Sequence, residues 1–294
     1  MAACLTSDLL RQEAHSPIIA ESPPFKTASI AVSEFTTPSP PKANPAPHPT
    51  CRILRDPISI TTDFDELRFN AAAYTQLIRH RDQSPNIHDR ALEQENEREK
   101  TSPLLISSPY NMPGHYLDIT SPTLPTSSRL FALALTALKP IVPTYATASY
   151  TSALNLDKVL SLLRELVREE SEAGGKEDTF KWQETSFYVV TFRSKLKEGV
   201  DNDWLYKLDA ESHREACESG GLLKYWFGKT DGERRNLATC FWHSREDAYK
   251  GGLGPWHRKA RAAGRELYES IVFTTHRFTV LDGAQGYRFE DWNV

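Results

Sequence analysis

Phe187-Tyr188-Val189-Val190-Thr191-Phe192 is the stretch on which the fold turns. Six consecutive β-branched and aromatic residues read as a strand buried on both faces. Working forward, Asp203 precedes a helical stripe of Trp204, Leu205, Leu208, Ser212 and Ala216 that stops at Gly220-Gly221. A second strand spans 222–227, the turn Thr230-Asp231-Gly232 follows, and a third strand runs over 236–243. Ser244 then stands as a cap with Asp247 three positions on, opening a helix that breaks at 251–255 and restarts with Trp256, Ala260, Ala263 and Leu267 inward. The last strand is expected over 271–281. Strand, helix, strand, strand, helix, strand is the ferredoxin-like βαββαβ order of an α+β domain, an antiparallel sheet with both helices on one face.

Working backward, the chain is less regular. Of its 19 prolines, 18 lie at or before Pro143, whereas all six tryptophans fall between Trp182 and Trp292, so the large core belongs to the C-terminal part. Residues 1–60 are rich in Pro, Ser, Thr and Ala and cannot bury enough apolar area to offset their ordering entropy, so they are expected to be a disordered arm. In 61–125, Phe64, Leu67, Ala71, Tyr74 and Ile78 predict a helix over 63–80 capped by Thr62, followed by an irregular linker. Two further helices are expected in 126–175. The first, Leu130 to Leu138 behind Ser127-Ser128, is apolar all round and needs cover on every side. The second carries a stripe of Leu156, Val159, Leu160, Leu163 and Val167 and ends at Gly174-Gly175. The fourth segment, 180–294, holds the ferredoxin-like domain. Its apolar strands leave a second sheet face to be covered, by another copy in a homodimer or by the chain's own helix at 129–138.

Bulk chemistry narrows the function. The chain has 294 residues and a formal charge of −4, and from Phe180 onward 18 Lys+Arg face 17 Asp+Glu, so no basic excess points to nucleic acid. The cluster Arg258, Lys259, Arg261 and Arg265 reads as the solvated side of a helix. No run of about 20 apolar residues could span a bilayer, so no membrane partner is expected. Cys4, Cys51, Cys217 and Cys240 share no CxxC spacing, and the N-terminus lacks a signal-like apolar core; a cytoplasmic or nucleocytoplasmic chain with reduced thiols is expected. Nucleotide, serine-hydrolase and zincin motifs do not occur, so neither cofactor nor metal is expected.

The segment Phe241-Trp242-His243-Ser244-Arg245-Glu246-Asp247-Ala248, with Gly254-Pro255-Trp256-His257-Arg258-Lys259-Ala260, resembles the strand, helix and Pro-x-His stretch of the antibiotic-biosynthesis-monooxygenase group in the dimeric α/β-barrel superfamily. The run from Leu130 through Pro140, Tyr145, Tyr150 and Leu156 to Arg168 is similar to an uncharacterised fungal family that couples such a domain to an N-terminal extension. The first resemblance implies a cavity between sheet and helices for a small aromatic or polyketide-like molecule. That superfamily holds cofactor-independent oxygenases and isomerases as well as proteins without known activity.

On the last strand Val272, Thr274, His276, Phe278 and Val280 share a face, which makes His276 a candidate general base, or else a core histidine bonded to a carbonyl. His257 falls at the Pro-x-His position that the resemblance implies can contact ligand; capping or packing is the alternative. Trp226, Trp242, Tyr188 and Phe278 are candidate surfaces for an aromatic ligand, and ordinary core residues otherwise. Asp209 and His213, spaced i,i+4, are read as a surface pair rather than a metal site, and Cys240 as a buried inert thiol. Two functions follow: an enzyme acting on a small aromatic molecule, or a non-catalytic binding or assembly module with the arm as a regulatory segment.

Overall fold

The β-branched run around Val189 lies at the centre of a five-stranded sheet, because its side chains are large enough to fill a core on both faces at once. In chain order the elements of the computed structural model, which describes residues 54–78, 100–173 and 179–292, are as follows. The N-terminal part comprises β1 (Leu54–Arg55), α1 (Phe64–Phe69), β2 (Thr101–Ser102), β3 (Leu104–Ile106), β4 (Tyr116–Asp118), α2 (Thr126–Ala134), α3 (Tyr150–Ala153) and α4 (Leu156–Ala173). Then come β5 (Thr185–Leu196), α5 (Asn202–Ser219), β6 (Leu222–Phe227), β7 (Arg235–Trp242), α6 (Arg245–Gly251), α7 (Pro255–Leu267), β8 (Tyr268–Val280) and β9 (Tyr287–Asp291).

The sheet order is β6-β7-β5-β8-β9 with every pairing antiparallel. Its first four strands, connected through α5 and through α6 and α7, have the ferredoxin-like order. The fifth strand, β9, is not expected from the sequence. Charged and apolar residues alternate in it, as suits a half-exposed edge, and a turn through Gly283, in the left-handed region at φ 62°, returns it onto β8.

Strand alternation sorts the core into two layers. Phe187, Val189, Trp226, Phe241, Phe278 and Val280 face α2 and α4, while Tyr188, Val190, Phe192, Tyr225, Cys240 and Trp242 face α5, α6 and α7. Of the two covers considered for the first face, the chain's own helix lies on it. Phe131 of α2 stacks on Phe187 with ring centroids 4.3 Å apart and on Phe278 at 5.5 Å, and meets the edge of Phe241. Leu130 to Ala134 are all buried, so the uniformly apolar helix finds cover on every side.

Local chemistry moved several boundaries. The helix expected over 63–80 ends at Phe69, because Ala71 takes a left-handed conformation at φ 54° and a short 3-10 turn follows; its cap is Asp63, which accepts from the N–H groups of Asp65 and Glu66, not Thr62. Ser127-Ser128 does not cap α2 either. Pro125 precedes its first turn, and Ser128 lies inside the helix with its hydroxyl turned to His243. The Ser244 cap of α6 forms as expected, accepting from the Asp247 N–H. The disordered arm expected over 1–60 is ordered in its last residues: Leu54–Arg55 pairs with β2, Pro57–Ser59 forms a 3-10 turn capped by Asp56, and Leu54 and Ile60 are buried. Residues up to 53 and the Gly174-Gly175 stop lie outside the described residues.

The connection between β3 and β4 positions the site. Ser107 accepts a backbone hydrogen bond from Tyr225, and Asn111 donates to the carbonyls of Pro57, Ile60 and Thr61. These bonds lay residues 107–116 beside α5, so Tyr110 and His115 enter the layer between that helix and the sheet.

A buried polar layer opening on a cleft

Helix α5 is capped by Asp201, whose carboxylate accepts from the Trp204 N–H. Its inner face presents Leu205, Leu208, Asp209, Ser212, His213 and Ala216 at helical spacing, all buried. Asp209 is therefore inside, not on the surface. It accepts from the Tyr110 hydroxyl at 2.5 Å and from the Tyr225 hydroxyl at 2.6 Å. Burial pushes its carboxyl above the usual range, against the pull of the two phenol donors, and burial and the neighbouring carboxylate raise both phenols well above theirs. Both tyrosines thus remain donors.

His213 does not pair with Asp209. Its Nδ1 lies 2.8 Å from Nδ1 of His115, with the two rings stacked 8° from parallel. One nitrogen must donate and the other accept, which requires at least one neutral ring. Burial pushes His115 down to about 4 and His213 well below its ordinary value, so both are neutral at pH 7. In the unfolded chain these rings titrate near 6.5, so the unfolded state takes up protons first as pH falls. Stability is fully present above about pH 6.5 and declines toward pH 4. Between pH 7.5 and 5, His115 alone should remove about 2 kcal/mol, at 1.36 kcal/mol per pKa unit. Urea titrations at the two pH values check this, and equal or greater stability at pH 5 would refute the neutral pair.

At the C-terminal end of α5 the layer meets a cleft of about 750 Å³. Tyr116, Leu117, Pro122 and Leu124 form its apolar wall, and Cys217, the Gly220-Gly221 turn, His243 and the first turn of α6 form the opposite one. Gly221 has φ 79°, and a Cβ there would fall 2.6 Å from Cβ of Asp247, so only glycine lets β6 start this close to α6. Cys217 is in no disulfide, and its Sγ lies 3.7 and 3.8 Å from the ring nitrogens of His213, which links the cleft to the buried histidine pair. The Nδ1 of His243 lies 2.7 Å from the buried Ser128 hydroxyl, so Nε2 is the nitrogen left for a bound molecule.

The residues singled out from sequence do not converge. Trp226, Phe278 and His276 belong to the face toward α2 and α4, whereas Trp242, Tyr188 and His257 belong to the side of α5 to α7. Trp226 is fully buried and donates to the Arg68 carbonyl, and Trp242 packs against Gly251; both are core. Tyr188 meets the edge of Trp292, and Phe278 lies under Phe131.

His276 is not enclosed in a dry pocket. It sits opposite Asp291 across the β8 and β9 pair, with Nδ1 3.1 Å from that carboxylate, Nε2 2.9 Å from the Thr274 hydroxyl and its ring stacked on Phe289. Burial pushes it down and Asp291 opposes. His257 serves the start of α7. Glu215 accepts from the N–H groups of Trp256 and His257 and lies 2.9 Å from His257 Nδ1, so a carboxylate of α5 caps the neighbouring helix. Burial works against the charge of Glu215, but these donors hold it below the usual carboxylate range. Cys240 is buried, and among the described residues no three His, Cys, Asp or Glu side chains are grouped to hold a metal ion.

Sequence reasoning did not single out Tyr110, His115 or His243 for chemistry, and it gave Cys217 no site role. The first two lie in a Pro- and Ser-rich stretch without periodicity, and their partners are 99 and 98 residues away.

A family model described as PB2B2.08-like matches residues 106–291. The UPF0643 protein PB2B2.08 of Schizosaccharomyces pombe is 34% identical over 191 residues, covering 63% of this chain and 82% of its own. Among solved structures, Rv0793 from Mycobacterium tuberculosis is similar at 17% identity and a TM-score of 0.27, covering 30% of this chain and 91% of its own. A Nitrosomonas europaea protein named for the antibiotic biosynthesis monooxygenases is similar at 13% identity and a TM-score of 0.28, covering 30% and 86%.

Proposed function

The chain belongs to the PB2B2.08-like family, and from that premise we propose that it binds a small aromatic molecule in the cleft between β4 and α6 and transfers a proton there. The observation that carries this reading is that Cys217 and His243 line the same 750 Å³ volume, one backed by the His213 and His115 pair and the other by Ser128. Leu117, Pro122, Leu124 and Tyr116 supply apolar contact for a flat ring, and His243 accepts a proton from its hydroxyl at Nε2. Chemistry of this kind matches an isomerase-like reaction, or a monooxygenase-like one with dioxygen as co-reactant, without a cofactor.

A panel of phenols and quinols tests the proposal, with binding read by calorimetry and turnover by product analysis and oxygen uptake. Activity is expected in the wild type, with at least a hundredfold loss of kcat in His243→Ala and a several-fold weaker Kd in Leu124→Asp. Absence of binding by every compound, or His243→Ala turnover equal to wild type, would overturn it. Tyr110 supports a second reading, the non-catalytic module, because it fills the space between sheet and α5 where an enclosed chamber would lie. Binding that Leu124→Asp weakens, without turnover, would favour that reading.

A further inference from the structure

The charges around the cleft do not balance. Four carboxylates line it, those of Asp118, Glu218, Glu246 and Asp247, against one lysine, Lys250, which already pairs with Glu246 at 2.9 Å. Arg214, the partner of Glu218, is shared with Glu211 and does not line the cleft. From Phe180 onward cations and carboxylates nearly cancel, 18 against 17, so the excess belongs to this cleft and not to the chain at large.

The carboxylates also keep acceptor capacity to spare. Asp118 uses Oδ1 for both the N–H and the hydroxyl of Thr120, Asp247 uses Oδ2 for the Ser244 hydroxyl, and Glu218 uses Oε1 for Arg214. Among the described residues nothing donates to Oδ2 of Asp118, Oδ1 of Asp247 or Oε2 of Glu218. Helix α5 ends at the same wall. The backbone dipoles of its 18 residues place partial negative charge there, and its last turn holds Glu218 with no basic residue to oppose it. The facing N-terminus of α6 adds little positive charge, because that helix has only seven residues and its own Ser244 accepts from the Asp247 N–H.

We propose that the molecule bound in this cleft carries a cation: it is a phenol with a protonated amine on a short side chain. The ring lies against Leu117, Pro122 and Leu124, and the ammonium is held by Asp118, Glu218 and Asp247. The inference rests on the reading that the cleft binds a small aromatic molecule, and it adds the charge of that molecule. An ammonium has three donors and no acceptor, which is what spare carboxylate oxygens complement. A ring bearing a carboxylate would meet like charges, offset by a single lysine that is already engaged. Glu218 and Glu246 are 58% and 74% exposed, so solvent and salt screen them and hold the discrimination to about tenfold.

Calorimetric titration of the full chain with tyramine, para-ethylphenol and para-hydroxyphenylpropionate, three rings of similar size that differ in charge, tests the inference. At low salt the Kd for tyramine should be about tenfold below that for para-ethylphenol, and the propionate should bind about tenfold more weakly than para-ethylphenol. The tyramine preference should shrink as ionic strength rises. Asp118→Asn with Glu218→Gln, which leaves an amide oxygen as acceptor for Thr120 and for Arg214, should bring tyramine to within about threefold of para-ethylphenol. The wild-type series decides the matter should that double variant fail to fold. Equal affinity for the three compounds, tightest binding by the propionate, or an undiminished tyramine preference in the folded double variant overturns the inference and leaves the cleft a site for uncharged aromatics. Failure of all three to bind overturns it together with the reading on which it rests.

Discussion

Asp209→Ala should destabilise the protein by about 4 kcal/mol, because two buried hydroxyls are each left unsatisfied at about 1 to 3 kcal/mol. Two phenol hydroxyls, on Tyr110 and Tyr225, would lose their acceptor in a layer that water does not reach. The loss extends beyond α5, because Tyr110 belongs to the connection between β3 and β4 and fastens that connection to the ferredoxin-like sheet. Tyr110→Phe removes one donor and leaves the carboxylate with the other, so it should cost about 1.5 to 3 kcal/mol, as for a hydrogen bond to a charged group. Denaturant midpoints of the wild type and the two variants measure both. A cost below about 1 kcal/mol for Asp209→Ala, less than one typical buried unsatisfied group, would mean that the Tyr110, Asp209, Tyr225 cluster does not form in solution.

Phe131→Ala should cost about 3 to 5 kcal/mol, the usual range for emptying a buried aromatic site. Its ring touches three phenylalanines on β5, β7 and β8, and the cavity would lie between a helix and a sheet that both have rigid neighbours. Asp209 and Phe131 lie on opposite faces of the sheet and share no partner. Their costs should therefore add within about 0.5 kcal/mol in the double variant, measured on a background stable enough to show both transitions. A Phe131→Ala cost under about 1 kcal/mol would show that α2 does not cover the sheet in solution. The strand residues beneath it would then need another cover.

Which parts of this arrangement could be read in advance follows from the range of the interactions involved. Strand β6 matches its expected span of 222–227, and the Ser244 cap forms as read, because alternation, β-branching and capping are local and leave a local trace. The shared face of Phe278 and Val280 on β8 is likewise a matter of strand period. Asp209 and His213 misled for the opposite reason. A polar i,i+4 pair on a helix looks wet unless something polar is known to lie opposite, and the groups opposite, Tyr110 and His115, come from a segment without periodicity about a hundred residues earlier.

The amino-acid order by itself determined an antiparallel sheet backed by two helical segments, with aromatic mass enough for a core on both sides, because such patterning acts through neighbours along the chain. Tertiary structure alone decided three things: that α2 closes the second face, that a histidine pair and a buried carboxylate occupy the layer under α5, and that Cys217 and His243 share one cleft. Each of these depends on groups distant in sequence meeting in a low-dielectric interior. Only there do a second imidazole, a phenol or the loss of water settle whether a side chain is charged, bonded or free to act.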